Sequence, residues 1–575
     1  MKKKHKILNT ISSPKDLKKL NNRDLKKLST EISDKIKSVV EKHGGHYSSP
    51  LGVVDLTLAL HFVYDSPNDK LIWDVGHQAY AHKILTGRRD QFDTLRQKDG
   101  ISGFLKRSES VHDHVGAGHA STSISSALGF AHVRDKNNSD SQILAIIGDG
   151  AMTGGLAYEG INNLGYHRTQ LTIVLNDNSM SISQSVGALS KYLNRVVTNP
   201  TYNRIRNDIW NISGKMPMAS FIRKFLRKTE EGIKGFLTPG ALFEELGLRY
   251  IGPVDGHNFE EMIRTFEAVK SMNTPVLVHV FTQKGRGSES AVSDSVKYYS
   301  MSGAKSPSKE QIQAPTYSEV FGHSITQLAR KNLNIECITA AMEIGTGLSE
   351  FTTEFPDRYI DVGIAEEHAV TYASGISASG KIPIVAIYST FMQRAFDCIF
   401  HDCLLQNLPI VFCMDRSGLV GADGPTHHGV FDIAMLRMLP NMVITAPKDG
   451  NEFRDLLYTG IKSGKSYSIR YPKGNSRNFK LDDQAKLIDI GSWEMLKEGT
   501  HTVILAVGSM VGMIADSYSI ISEMLDYKPS LVNARFIKPL DTLMLDKIAN
   551  NYKTVLVIEE GCIQGGFGSS VLEYF

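Results

Sequence analysis

The chain has 575 residues, 41% hydrophobic and 22% charged, ordinary values for soluble globular material and enough for roughly three or four domains. Net charge of +3 and a pI near 8.3 suit phosphorylated substrates but not a nucleic-acid surface, so no nucleic-acid partner is expected. Five cysteines (337, 398, 403, 413 and 562) include no C-x-x-C pair, which argues against a zinc site and a secreted disulfide framework and points to a reducing cytoplasm.

The opening MKKKHKILNTISSPKDLKKL is basic but never reaches the apolar core of a secretory leader. No run of about 18 apolar residues follows, so no membrane partner is expected. Residues 1–290 alternate apolar strand-like runs, such as Gln142–Ile147, Leu171–Leu175 and Pro275–Val280, with helical patterns. That alternation predicts a parallel α/β sheet covered on both faces. Between 186 and 240 the pattern weakens into a segment rich in Asn, Arg and Lys, read as a mobile insertion or a solvated excursion. Residues 291–318, rich in Ser, Lys and Pro, read as a linker. A second α/β block covers 319–485, with strands at Ile382–Tyr388 and Pro409–Met414. A third covers 486–575, with strands at His501–Val507, Ser530–Ala534 and Thr554–Ile558. It closes on a helix opened by Gly565-Gly566-Phe567-Gly568, and reads as incomplete.

Two strand ends carry the first chemistry. QILAIIGDGA ends in Gly148-Asp149-Gly150, and LTIVLNDN ends in Asn176-Asp177-Asn178. The 29-residue spacing from Asp149 to Asn178 is one strand–helix–strand unit, which brings neighbouring parallel strand ends together. Magnesium prefers oxygen ligands completed by phosphate and water. Asp149, Asn178 and a backbone carbonyl just beyond, at Met180, meet that need, and the flanking glycines let a diphosphate approach the backbone. Either motif alone is an ordinary strand-terminating turn; the pair at this spacing is a candidate metal–diphosphate site.

The stretch YIDVGIAEEHAV puts Glu366, with Glu367 beside it, at a strand-to-helix junction. A buried acid there could hold its proton near neutrality; an exposed acidic pair favoured by the helix dipole is the plainer alternative.

Longer strings decide between these readings. HGGHYSSPLGVVDL, IWDVGHQAYAHKILTGRRD, KRSES, GAGHASTSISSALG, VLNDNSMSIS, IGPVDGH, YSTFMQRAFD, DRSGLVGADGPTHHG and RYPKGN span nearly the whole chain. They resemble the 1-deoxy-D-xylulose-5-phosphate synthase family of the transketolase superfamily. The resemblance implies three doubly wound, mainly parallel α/β domains of transketolase-like architecture, the third apparently truncated. It implies a thiamine-diphosphate- and magnesium-dependent transferase that joins pyruvate to D-glyceraldehyde 3-phosphate with loss of carbon dioxide, at the head of isoprenoid biosynthesis and feeding thiamine and pyridoxal synthesis. A cytoplasmic homodimer is implied as well.

Residue by residue, the same resemblance assigns Glu366 as the acid that activates the cofactor. His46 and His427 would exchange protons around the bound intermediate. His77, Gly118, His119, Ala120, Gly150, Ala151, Asn178, Lys284 and Phe391 would contact the cofactor. Asp149, Asn178 and Met180 would hold the metal. Tyr388, Arg394, Arg416, Asp423 and Lys473 would form the acceptor pocket, the two arginines clamping phosphate. The chain departs from the family at Ser288 and at Tyr298-Tyr299, where an aromatic residue and an aromatic–His pair are expected. It departs also at Lys473, where Arg is expected. A transketolase-like ketol transferase and a non-catalytic thiamine-diphosphate-binding paralogue are the alternatives.

Overall fold

Apolar runs bounded by turn residues become parallel strands in the computed structural model, which describes residues 7–178, 187–189, 191–193, 240–304, 314–480 and 484–575. Met180 and residues 194–239 of the expected insertion lie outside them. Two units result, Met1–Pro307 and Ser308–Phe575.

The first unit opens on helix α1 (Asn22–His43), capped by the Asn21 side chain, which accepts the Asp24 N–H at 3.0 Å. There follow β1 (Gly45–His46), β2 (Lys70–Trp73), α2 (Ser123–Lys136), β3 (Ile143–Gly148), α3 (Gly155–His167) and β4 (Thr172–Asp177). Then come β5 (Arg249–Asp255), α4 (Phe259–Lys270) and β6 (Val276–Phe281). Strands β2 to β6 make one parallel sheet in the order β2-β3-β4-β6-β5. Its inner strands are buried along almost their whole length, which is why they read as unbroken apolar runs. Gly148 pairs with Asn176, so the C-terminal ends of β3 and β4 lie side by side.

The expected linker over 291–318 needs correction in its first part. A short helix, Glu289–Ser293, and strand β7 (Ser300–Met301) dock on the first unit, β7 running antiparallel to β1. The composition is polar, but Ala291, Tyr298 and Met301 pack into the first unit's core and hold the strap down.

The second unit begins at α5 (Tyr317–Lys331), started by a capping box of Thr316 and Glu319. It continues through β8 (Ile335–Thr339), β9 (Tyr359–Asp361), α6 (Glu366–Ala378), β10 (Ile382–Tyr388), β11 (Val411–Asp415), β12 (Val443–Thr445), α7 (Gly450–Ser463) and β13 (Tyr467–Arg470). The last part holds β14 (Glu494–Lys497), β15 (Thr502–Ala506), β16 (Ser530–Asn533), β17 (Phe536–Lys538), β18 (Thr554–Ile558) and α8 (Phe567–Tyr574). A seven-stranded sheet runs β17-β12-β13-β11-β10-β8-β9 and a four-stranded one β14-β16-β15-β18. Both are parallel except for one edge strand each, β17 and β14. Strand β17 belongs in sequence to the third block yet pairs with β12 of the second. One apolar core runs under both sheets, so blocks 319–485 and 486–575 fold as one unit. Among the described residues, no helix is long and apolar enough to cross a membrane.

A buried ionic cluster forms around Asp113, in the segment that leads in sequence to Gly118. Arg88 donates to both oxygens of Asp113 at 2.6 and 2.8 Å, and His82 Nε2 lies 3.2 Å from the same carboxylate. Burial alone would raise the Asp113 carboxyl; His82 and Arg88 outweigh it and hold the group well below the usual carboxylate range. Asp113→Ala leaves the buried Arg88 with the Thr86 hydroxyl at 2.7 Å and the Glu109 carboxylate at 3.4 Å, and a loss of about 3–5 kcal/mol in urea unfolding is expected. The folded carboxyl is depressed, so this contribution is present above the ordinary carboxylate pKa and fades as pH falls below it.

Candidate active site

In the first unit, Asp149 follows β3 directly and Asn178 follows β4 directly. The Asp149 N–H donates to the Asn176 carbonyl at 3.2 Å, which ties the two strand ends together. A Cβ built on Gly148 meets nothing within 4 Å, so the backbone beside Asp149 faces open space. Beyond Asp149, Gly150 leads into a short helical turn, Ala151–Thr153, whose first carbonyl partner is bonded by the Thr153 hydroxyl at 2.7 Å. Asp149 is nearly buried, and two hard oxygen donors on adjacent strand ends form a set that suits magnesium.

Lys284 reaches this corner from the segment after β6. Burial pushes its ammonium down to about 8, while the Asp149 carboxylate works to keep the charge. Three bonds fix the segment: Thr282 N–H to the Asp177 carbonyl (2.8 Å), the Thr282 hydroxyl to Asn176 Oδ1 (2.6 Å), and Gly285 N–H to the Ser48 carbonyl (2.8 Å). A fourth comes from His257, whose Nε2 accepts the Gln283 N–H at 2.9 Å while Nδ1 lies 2.8 Å from Asp55 Oδ2. An N–H can only donate, so the imidazole carries its proton on Nδ1 and aims it at Asp55.

His46 and His77 stand together in the same unit, ring centroids 5.4 Å apart. Phe104 packs edge-on to His46 at 5.3 Å, and Tyr299 on the docked strap lies 5.5 Å from His46 and 5.8 Å from His77. Tyr299 thus occupies the histidine cluster instead of a third imidazole. Ser288, at the other departure, precedes the short helix Glu289–Ser293.

In the second unit, Glu366 opens helix α6 and is 2% exposed. Burial pushes its carboxyl up to about 7, against the pull of Arg394, whose Nη1 stands 3.5 Å from Oε2; Glu367 adds a smaller push upward. Glu366 is thus a buried acid at the start of a helix that follows a strand, while its neighbour Glu367 is exposed. Tyr388 stacks on Phe391 at 5.8 Å, and Phe391 meets the His427 ring edge-on at 5.5 Å. The Arg416 guanidinium lies over the Tyr388 ring at 3.9 Å, bonded to Asp415 (2.7 Å) and to the Gly345 carbonyl (2.8 Å). Asp423 is joined to Lys473 at 2.8 Å.

Sequence reasoning missed three residues that hold these groups: Asp74, treated below, His257, and Glu560. Glu560 Oε1 accepts the Leu419 N–H at 3.1 Å, in the loop that joins Arg416 to Asp423. Asp74 and His257 lie inside the quoted strings IWDVGHQ and IGPVDGH, but nothing in their spacing reveals their partners. Glu560 has no signal in the sequence.

Two of the three family models that match this chain are the transketolase pyrimidine-binding domain, over residues 313–478, and the transketolase C-terminal domain, over 491–575. With the paired strand ends and the buried acid, they define a transketolase-like enzyme. The 1-deoxy-D-xylulose-5-phosphate synthase model matches residues 8–282. A synthase of that name from Syntrophus aciditrophicus is 48% identical over 99% of this chain and 88% of its own length. Those from Halothermothrix orenii and Aquifex aeolicus are each 48% identical, over 99% and 100% of this chain and 90% and 92% of their own. The chain belongs to the 1-deoxy-D-xylulose-5-phosphate synthase family, whose members are thiamine-diphosphate-dependent transferases.

Proposed function

We propose that this chain condenses pyruvate with D-glyceraldehyde 3-phosphate to give 1-deoxy-D-xylulose 5-phosphate and carbon dioxide, as a magnesium-dependent cytoplasmic homodimer. The observation that carries the reading, beside family membership, is the buried Glu366 carboxyl, which keeps its proton to about pH 7. An acid of that kind is what a cofactor pyrimidine needs as a hydrogen-bond partner. Thiamine diphosphate, when bound, supplies a nucleophilic carbon and an electron sink for decarboxylation. The protein's share is to bind, orient and handle protons. Asp149, Asn178 and, by resemblance, Met180 hold magnesium, and Lys284 adds positive charge beside a diphosphate. Gly118–Ala120, Gly150 and Ala151 offer backbone groups, and His77 and Phe391 offer rings. His46 and His427 exchange protons with substrate oxygens. Arg394 and Arg416 take the acceptor's phosphate with Lys473, Asp423 takes a hydroxyl, and Tyr388 forms a wall.

The test is carbon dioxide release from pyruvate by the purified chain with magnesium and thiamine diphosphate, with and without the aldehyde. Release that depends on the aldehyde, with a five-carbon deoxyketose phosphate found by mass, is expected. Ser288 and Tyr299 favour one rival reading, a binder without turnover; cofactor binding with no release would establish it and end the proposal.

A further inference from the structure

Asp74 is fully buried and follows β2 directly, three residues before His77. Its carboxylate oxygens accept two backbone N–H groups from a distant segment: Ser121 on Oδ1 at 2.7 Å and Ser123 on Oδ2 at 3.0 Å. Ser123 is the first residue of α2, so Asp74 caps that helix from another strand. The Ser121 hydroxyl then donates to the Ala151 carbonyl at 2.6 Å. A chain of bonds therefore runs from Asp74, in the turn bearing His77, through Ser121, the residue after Gly118–Ala120, to the Ala151 carbonyl two residues beyond Asp149.

The backbone on both sides of this chain is held out of its relaxed range. Val75 has φ +57° and Ser121 φ +69°, left-handed values that a β-branched residue and a serine seldom adopt. Such conformations persist when their surroundings over-determine them. Here the Asp74 carbonyl accepts the Gly76 N–H at 2.5 Å and the Gln78 side chain at 2.9 Å, while its carboxylate takes Ser121. Gly76 has φ +81°, and a Cβ there would come within 2.7 Å of Ala117, so this turn and the segment before Gly118 are packed against each other.

We propose that Asp74 is the positioning residue of the diphosphate half-site: with Ser121 as its relay, it locks His77, Gly118–Ala120 and Asp149–Ala151 into one register before the cofactor arrives. This rests on the assignment of those three segments to thiamine diphosphate. Pre-ordering them lowers the conformational cost of binding, so affinity is what the lock controls.

The experiment is calorimetric titration of thiamine diphosphate, in magnesium, into cofactor-free wild type, Asp74→Asn and Ser121→Ala, with melting of each cofactor-free protein in parallel. The Asn variant keeps the volume but presents an amide donor where one N–H needs an acceptor. It is expected to raise Kd about 10–100-fold, the usual loss when a supporting partner is removed; Ser121→Ala is expected to raise it severalfold. A lower melting temperature with Kd within twofold of wild type would make Asp74 merely structural and overturn the inference. Should Asp74→Asn fail to fold, Ser121→Ala decides: unchanged affinity overturns the proposal, a severalfold loss upholds it. Wild type that does not bind thiamine diphosphate would instead end the assignment of the cofactor.

Discussion

Glu366→Ala is expected to lower turnover by about a thousandfold or more, the scale of a lost general acid–base group. Magnesium-dependent binding of thiamine diphosphate should change far less, because the residues proposed to hold the metal and diphosphate belong to the first unit. The argument rests on burial: at 2% exposure the ionised carboxylate is poorly solvated, and Arg394 at 3.5 Å only partly offsets that. Glu366→Gln keeps a hydrogen-bond donor but has no exchangeable acid proton, so it should fall between Ala and wild type. Near-normal turnover by Glu366→Ala, in protein that binds cofactor, would remove Glu366 from its role.

The same burial has a thermodynamic signature. The folded carboxyl titrates near 7 against an ordinary 4.5. Between those values the native state binds more protons than the unfolded one, so Glu366 costs stability progressively as pH rises. The cost reaches roughly 3 kcal/mol by neutral pH. Cofactor-free Glu366→Gln should therefore match wild type near pH 4.5 and become the more stable of the two by pH 7.5 in urea titrations.

Strands were legible because inner parallel strands are buried on both faces, so Ile143–Ile147 and Ile382–Tyr388 stand out as apolar runs without partners being known. Asp149 and Asn178 were legible for a related reason: one strand–helix–strand unit fixes their adjacency by length alone. Supporting contacts were not. Asp74 and Ser121 are 47 residues apart and Asp55 and His257 are 202 apart, and no local periodicity encodes such pairings. The strap at 289–304 misled composition, since three apolar side chains anchor a segment that is otherwise polar. Tyr299 shows the converse: its departure from the family pattern was visible in sequence, but only the fold places it against His46 and His77.

Asp149→Ala is expected to abolish the magnesium dependence of cofactor binding and weaken affinity at least ~100-fold, close to 3 kcal/mol. Asp149 is the anionic member of the proposed ligand pair; Asn178 offers only an amide oxygen, and a hard dication strongly prefers carboxylate. The carboxylate also faces Lys284, whose ammonium already suffers from burial. Its removal takes away one favourable charge facing that buried cation, which works against folding and against metal entry alike. Asp149→Asn separates the two effects, since it keeps an oxygen ligand and the side-chain volume while deleting the charge. If charge dominates, Asn and Ala should lose affinity equally in titrations with magnesium; if geometry dominates, Asn should recover most of it. Thiamine diphosphate binding by Asp149→Ala that stays magnesium-dependent and within a few fold of wild type would place the metal elsewhere.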